Sequence, residues 1–380
     1  MVENSKEIAK RIFGLDLIRA FSVFLILFSH SSWIYPPSNT ILSKAKDMSG
    51  FFGIEIFLVM SGFLVGNIIY KQFNSDSYGL KEVKLFLLRR LTRVLPSYYF
   101  VIIINSLIGL FFGYSLLHVW KYFLLFQNFS SGIYPFFPES WSLPIKELGY
   151  IIAVFLLFIT LSLFRKTLRK TLFLTVIIGL MLLSVFAKVY YNLHSTNLSL
   201  GVWSLEVRSV VIYRIDSVLF GILLSYGYSN YHKMIMDYKK HLFVFGLLLL
   251  LLFFLLLTFF KFRLDNAPWF WNVWCLPFTS FILCLIFPVF FEWKEAPNYY
   301  TKPIRFFCNI SYSVYLIHYS IVLFLLKYFI DTSHFSMMQL HFFTLLYLVT
   351  TIILSYFFYN YFEKPINNFR LANFKLDKNR

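Results

Sequence analysis

Arg19 and His30 lie eleven residues apart in one apolar stretch of the chain. Eleven residues is close to three helical turns, so a helix would put both on one face, about 16 Å apart along its axis. An imidazole titrates near neutral pH and suits a general base. Glu55, in the run Gly53-Ile54-Glu55-Ile56-Phe57, is a carboxylate that could orient it. Arg89, Arg90 and Arg93 form a cluster with Arg90 and Arg93 one helical turn apart. Guanidinium forks of this kind suit phosphates. Trp141 and Glu147, Arg214 and Asp216, and Tyr315 and His318 are further polar or aromatic groups in or beside apolar runs. Plainer readings stand beside each of these: a helix-end His at the headgroups, a snorkelling Arg, arginines that only signal topology, and an aromatic belt at the interface. Ser61-Gly62-Phe63 reads equally as a small-residue packing patch or a substrate contact. The eight His residues have no ligand spacing, so no metal is expected, and no nucleophile elbow occurs. Cys275, Cys284 and Cys308 suggest no disulfide framework.

These residues need elements to hold them, and composition says which. The chain has 380 residues, 59% hydrophobic and only 14% charged, with 49 Phe and 26 Tyr. Soluble chains are about 45–50% apolar and about 25% charged. A soluble globular enzyme is thereby excluded, and so is disorder, which is poor in aromatics. The chain reads as all-α and polytopic in a membrane. Ten spans of about 20 apolar residues are expected, near 13–35, 50–70, 96–114, 148–164, 171–189, 209–228, 241–260, 270–291, 306–330 and 339–362.

The net charge of +17 could suggest nucleic acid, but the basic residues lie between apolar runs. Ten spans put both termini on one side, and segments on that side hold 24 of the 35 basic residues. They include Lys6, Lys10, Arg11, the Arg89 cluster, Arg165, Lys166, Lys239, Lys240, Lys302, Arg305, Lys378 and Arg380. That side is expected to be cytoplasmic, and no nucleic-acid partner is expected. No cleavable signal peptide is evident, because the first apolar run ends in Trp33-Ile34-Tyr35-Pro36. No repeat or Gly/Ser linker divides the chain. One membrane domain over 1–365 and a short basic cytoplasmic tail over 366–380 are expected.

In order along the chain, these pieces resemble the acyltransferase family 3 of membrane proteins, which includes O-antigen and exopolysaccharide O-acyltransferases. The resemblance runs from Gly14-Leu15-Asp16-Leu17-Ile18-Arg19-Ala20 to Glu363-Lys364-Pro365. Between them come the Arg19-to-His30 spacing, Gly-Ile-Glu-Ile-Phe before Ser-Gly-Phe, Arg-Arg-x-x-Arg-x-x-Pro, Trp-Ser-Leu, Arg-x-Asp and Ile-Ser-Tyr-Ser-x-Tyr-Leu-x-His. Two departures stand out. Lys146 occupies the first Glu of the family's usual Trp-Ser-Leu-x-Val-Glu-Glu, and Glu55 stands where Asp is commoner. The fused periplasmic hydrolase-like domain of some relatives is not expected here.

The resemblance implies a roughly ten-helix domain in a bacterial plasma membrane that moves an acyl group from cytoplasmic acyl-CoA to an acceptor, often a sugar hydroxyl. On that reading His30 is the general base and Glu55 orients it. Arg89, Arg90 and Arg93 hold the CoA phosphates, and the pantetheine arm passes Arg19. Trp141, Glu147, Arg214, Asp216, Tyr315 and His318 contact substrate. Acyl-CoA, with acetyl-CoA the expected donor, is then a substrate, and no tightly bound cofactor is expected. The partners are acyl-CoA, a carbohydrate acceptor and membrane lipids. The competing function is a carrier or exporter of a surface-polysaccharide intermediate, for which intramembrane charge would also serve.

Overall fold

The structure, a computed structural model, describes residues 12–376 apart from 39, 133–135, 165–167, 197–198 and 260–261. Ten helices organise it: α1 (Phe13–His30), α2 (Ile41–Phe73), α3 (Leu80–Phe111), α4 (Ser142–Leu163), α5 (Arg169–His194), α6 (Asp216–Asn230), α7 (His232–Phe259), α8 (Cys275–Ile286), α9 (Asn298–Ile317) and α10 (Met337–Phe358). The described residues contain no strand, as lipid demands of a backbone that must pair within its own segment. Local chemistry sets the helix starts. The Thr40 hydroxyl accepts from the Ser43 amide ahead of α2, and Ser336 with Gln339 closes a reciprocal capping box ahead of α10.

Nine helical runs among the described residues are long and apolar enough to cross a bilayer. They match nine of the ten expected spans. The tenth, expected over 270–291, is the shorter run Phe270–Ile286, and a separate turn, Pro288–Phe291, follows it. Pro288 has no amide hydrogen and cannot continue the ladder of the preceding turn. Several helices also outrun the hydrophobic stretch that announces them. α2 has 33 residues and α3 has 32, against the roughly 20 a bilayer needs.

Burial ranks the helices. The apolar window of α2 is 72% buried and that of α7 only 11%, so α2 is the central post and α7 lies at the periphery. α2 and α6 meet backbone to backbone. A Cβ on Gly62 would strike the Val218 carbonyl oxygen, and one on Gly221 would strike the Val59 carbonyl oxygen. Small residues allow this close approach between helices in lipid, so Ser61-Gly62-Phe63 is a packing patch. One apolar core gathers around α2, α4, α5 and α6. A second gathers around α1, α3, α9 and α10.

Past α10 the chain continues helically over Lys364–Leu376. There Arg370 donates to the Arg89 carbonyl at 2.7 Å, which docks this segment on α3. Of the basic residues that set the expected orientation, Lys6, Lys10, Arg11, Arg165, Lys166, Lys378 and Arg380 lie outside the described residues.

Candidate active site

His30 is the last residue of α1, and its Nδ1 lies 2.7 Å from Nε2 of His318. The two rings stack with centroids 4.8 Å apart. His318 is fully buried. Its Nδ1 faces the Val314 carbonyl at 2.9 Å and the Tyr315 carbonyl at 3.1 Å. Carbonyl oxygens only accept, so Nδ1 of His318 carries the proton and its Nε2 is a lone pair. That lone pair accepts from Nδ1–H of His30. In the neutral pair the free lone pair is therefore Nε2 of His30, the atom a general base uses. His318 opens a π-helical segment, His318–Leu323, which carries it out of the regular register of α9. Such interruptions often occur at functional sites.

The dyad lines a cavity of about 290 Å³. Trp33, Trp141, Tyr315 and Tyr319 contribute aromatic faces to it, and Asp47, Glu139 and Arg208 contribute charge. Tyr319 also packs on His30, with centroids 4.8 Å apart. The Tyr315 hydroxyl accepts from Ser142 at 3.0 Å. Arg208 ends a second π-helical turn, Ser204–Arg208. Its guanidinium lies 5.3 Å from the Phe51 ring centre and 5.2 Å from that of Trp141. Burial pushes it down to about 10, so it remains a cation at neutral pH.

Glu55 is not the partner of His30. It is fully buried against Arg214, and its Oε2 accepts from Ser217 and from Ser280, each at 3.3 Å. Asp216 pairs with Lys188. Two acids and two bases, all at most 1% exposed, thus form a charge-balanced knot joining α2, α5, α6 and α8. Arg214 and Asp216, expected as substrate contacts, are not among the residues lining the His30 cavity. Each is already spent on an internal partner, since a charge in a low-dielectric interior must be paired.

At the opposite end of α1 lies the arginine group. Arg90 holds Glu147 with two bonds of 2.9 Å, so Glu147 faces α3 rather than the His30 cavity. Lys146 is buried, 3.7 Å from the same carboxylate, and its ammonium sits 4.8 Å from the Phe57 ring centre. Arg19, Arg90 and Arg93 are all within electrostatic reach of Lys146. Arg19 donates to the Cys308 sulfur at 3.5 Å. Arg89 is half-buried, with its carbonyl taken by Arg370. Arg93 is exposed and has Arg19, Arg90, Arg370 and Glu363 around it. Six cations, Arg19, Arg89, Arg90, Arg93, Lys146 and Arg370, stand here against Glu147, Glu363 and Asp16, which accepts from the Cys308 thiol, a surplus of positive charge.

The structure therefore brings His30, His318, Tyr315 and Trp141 together at one end and Arg19, Arg90 and Arg93 at the other. Sequence reading missed Lys188, Arg208 and Glu139. Lys188 carried the same signal as the others, a lone charge in an apolar run. Arg208 and Glu139 sit just outside the apolar runs, where charge is ordinary.

Residues 12–360 match the family described as acyltransferase domain. Among curated relatives, the peptidoglycan O-acetyltransferase OatA of Listeria monocytogenes is 23% identical over 339 residues, covering 85% of this chain and 51% of the relative. The O-acetyltransferase OatA of Staphylococcus aureus is 24% identical over 349 residues, covering 84% and 52%. The chain thus spans about half the length of these relatives. No solved structure matches it. With the family match spanning nearly the whole chain, over the helices that carry both the histidine pair and the arginine group, the chain belongs to the acyltransferase family 3 of membrane proteins.

Proposed function

We propose that this chain is an integral membrane O-acyltransferase that moves an acyl group, acetyl by preference, from acyl-CoA to a hydroxyl of a cell-surface or lipid-linked carbohydrate. The observation that carries this reading is the His30–His318 pair, whose hydrogen bonds leave Nε2 of His30 basic beside a cavity. Nε2 takes the proton of an acceptor hydroxyl as its oxygen attacks the thioester carbonyl. The C–O bond forms, the C–S bond breaks, and the proton passes from His30 to the departing thiolate. His318 replaces Glu55 as the positioning residue. As a neutral acceptor it fixes the His30 tautomer and supports the imidazolium of the transition state. Arg208, a cation on the same cavity, suits the negative charge that develops on the carbonyl oxygen.

The donor's phosphates belong at the arginine group, where Arg93 is exposed and positive charge is in surplus. Phosphates and thioester then sit at opposite ends of α1, roughly the 16 Å that separates Arg19 from His30 by helix rise. The extended pantetheine arm suits such a span. The relatives' names, O-acetyltransferase and peptidoglycan O-acetyltransferase, favour an acetyl donor and a glycan acceptor. The test supplies the purified protein with [14C]acetyl-CoA and glycan-bearing membranes. Consumption of thioester with label in glycan supports the reading. Glycan movement with no thioester consumed would instead establish a carrier.

A further inference from the structure

Glu139 is a carboxylate with half its hydrogen-bonding capacity committed. It is only 6% exposed. Its Oε1 accepts from the Ser320 amide at 2.8 Å and from the Ser320 hydroxyl at 2.6 Å. Its Oε2 has no hydrogen-bond partner among the described residues. Glu139 nevertheless lines the same cavity as His30 and His318. A carboxyl oxygen without a proton can accept a hydrogen bond, and leaving such an oxygen unsatisfied in an interior is costly. A ligand that donates one hydrogen bond there removes that cost. The rest of the wall narrows the class of donor. Trp33, Trp141 and Tyr319 supply flat apolar faces, which suit the C–H face of a sugar ring. An acidic group beside Glu139 would be repelled.

We propose that Glu139 is an acceptor-binding residue, whose Oε2 takes a hydrogen bond from a neutral sugar hydroxyl other than the one His30 deprotonates. This rests on the O-acyltransferase reading above and adds to it how the acceptor is held. Two contacts on one ring, at His30 and at Glu139, fix which hydroxyl reaches the base. They select a ring with at least two free hydroxyls over one whose second hydroxyl is substituted or missing.

The rival explanation is structural: Glu139 would only pin Ser320, two residues beyond His318. The variant Glu139→Gln separates the two. Its carbonyl oxygen still accepts from Ser320, while its NH2 donates where Oε2 accepted. Ser320→Ala does the reverse, loosening the pin and sparing Oε2. Transfer from [14C]acetyl-CoA is measured in native membranes carrying the endogenous acceptor, with each variant's amount normalised by immunoblot. Glu139→Gln is expected to lower transfer about tenfold to hundredfold, the worth of one hydrogen bond to a charged group, with the KM for acetyl-CoA unchanged. Ser320→Ala is expected to stay within about threefold of wild type, because the Ser320 amide still donates to Oε1 and Oε2 is untouched. Wild-type transfer by Glu139→Gln would overturn the proposal. So would an equal fall in both variants, which would make Glu139 a structural pin. Absence of transfer in the wild type would instead sink the O-acyltransferase reading itself.

Discussion

In the proposed mechanism His318, and not Glu55, orients His30, because His318 contacts the ring while Glu55 is paired with Arg214. A carboxylate is the common orienting partner of an imidazole, yet here a buried neutral imidazole holds His30. His318→Ala is therefore expected to lower kcat while leaving the KM for acetyl-CoA near wild type, and His318→Gln, whose side chain can still accept from Nδ1–H, is expected to retain more activity. Measured kcat and KM values for the two variants check this. Equal activity in His318→Ala and wild type would remove the positioning role. Glu55→Gln is expected to act on stability instead. It leaves the Arg214 guanidinium buried without its carboxylate, and breaking a buried pair this way costs about 3–5 kcal/mol. Thermal unfolding in detergent should show it as a lowered midpoint, restored in part by the double variant Glu55→Gln, Arg214→Met. That His30, Glu55 and Arg214 need partners was legible in the sequence because each is a titratable or charged group among apolar residues. Their pairing was not, since it depends on which faces of α1, α2, α6 and α9 meet.

The α2–α6 contact shows what the elements contribute. Gly62 and Gly221 let two backbones touch, and the same register sets Ser217 against Glu55. Gly221→Leu should separate the helices and break this contact, so the protein should accumulate poorly and resist proteolysis less; equal protease resistance would show that the interface has slack. The number and order of helices could be read from hydropathy, because a bilayer imposes a length on every span. Two features escaped that reading. One is the interruption at Pro288, which shortens the expected eighth span. The other is the π-helical geometry at His318–Leu323 and Ser204–Arg208. Neither π segment has a hydropathy signature, yet both bring cavity residues into place.

Across the whole molecule, charge is divided by function. The expected topology puts most of the basic residues behind the +17 net charge on the side of the arginine group, while the knot of Glu55, Arg214, Asp216 and Lys188 is balanced. The orientation proposed from that distribution places the arginines where CoA is found. Cysteines introduced at exposed Lys81 and Asp265 should then be labelled oppositely by an impermeant reagent. Asp265 should react in intact cells, and Lys81 only after the membrane is opened. Double substitution of Arg89 and Arg93 by Ala should raise the KM for acetyl-CoA about tenfold or more, since a bond to a charged group is worth about 1.5–3 kcal/mol. The central claim, that His30 performs the proton transfer, is tested most directly by His30→Gln. The variant keeps size and hydrogen bonding but has no base. Measured in membranes with [14C]acetyl-CoA, it should transfer about 10²–10⁴-fold more slowly than wild type, with donor affinity unchanged if, as proposed, the arginines at the other end of α1 hold the phosphates. Near-normal turnover by a correctly inserted His30→Gln protein would contradict the account.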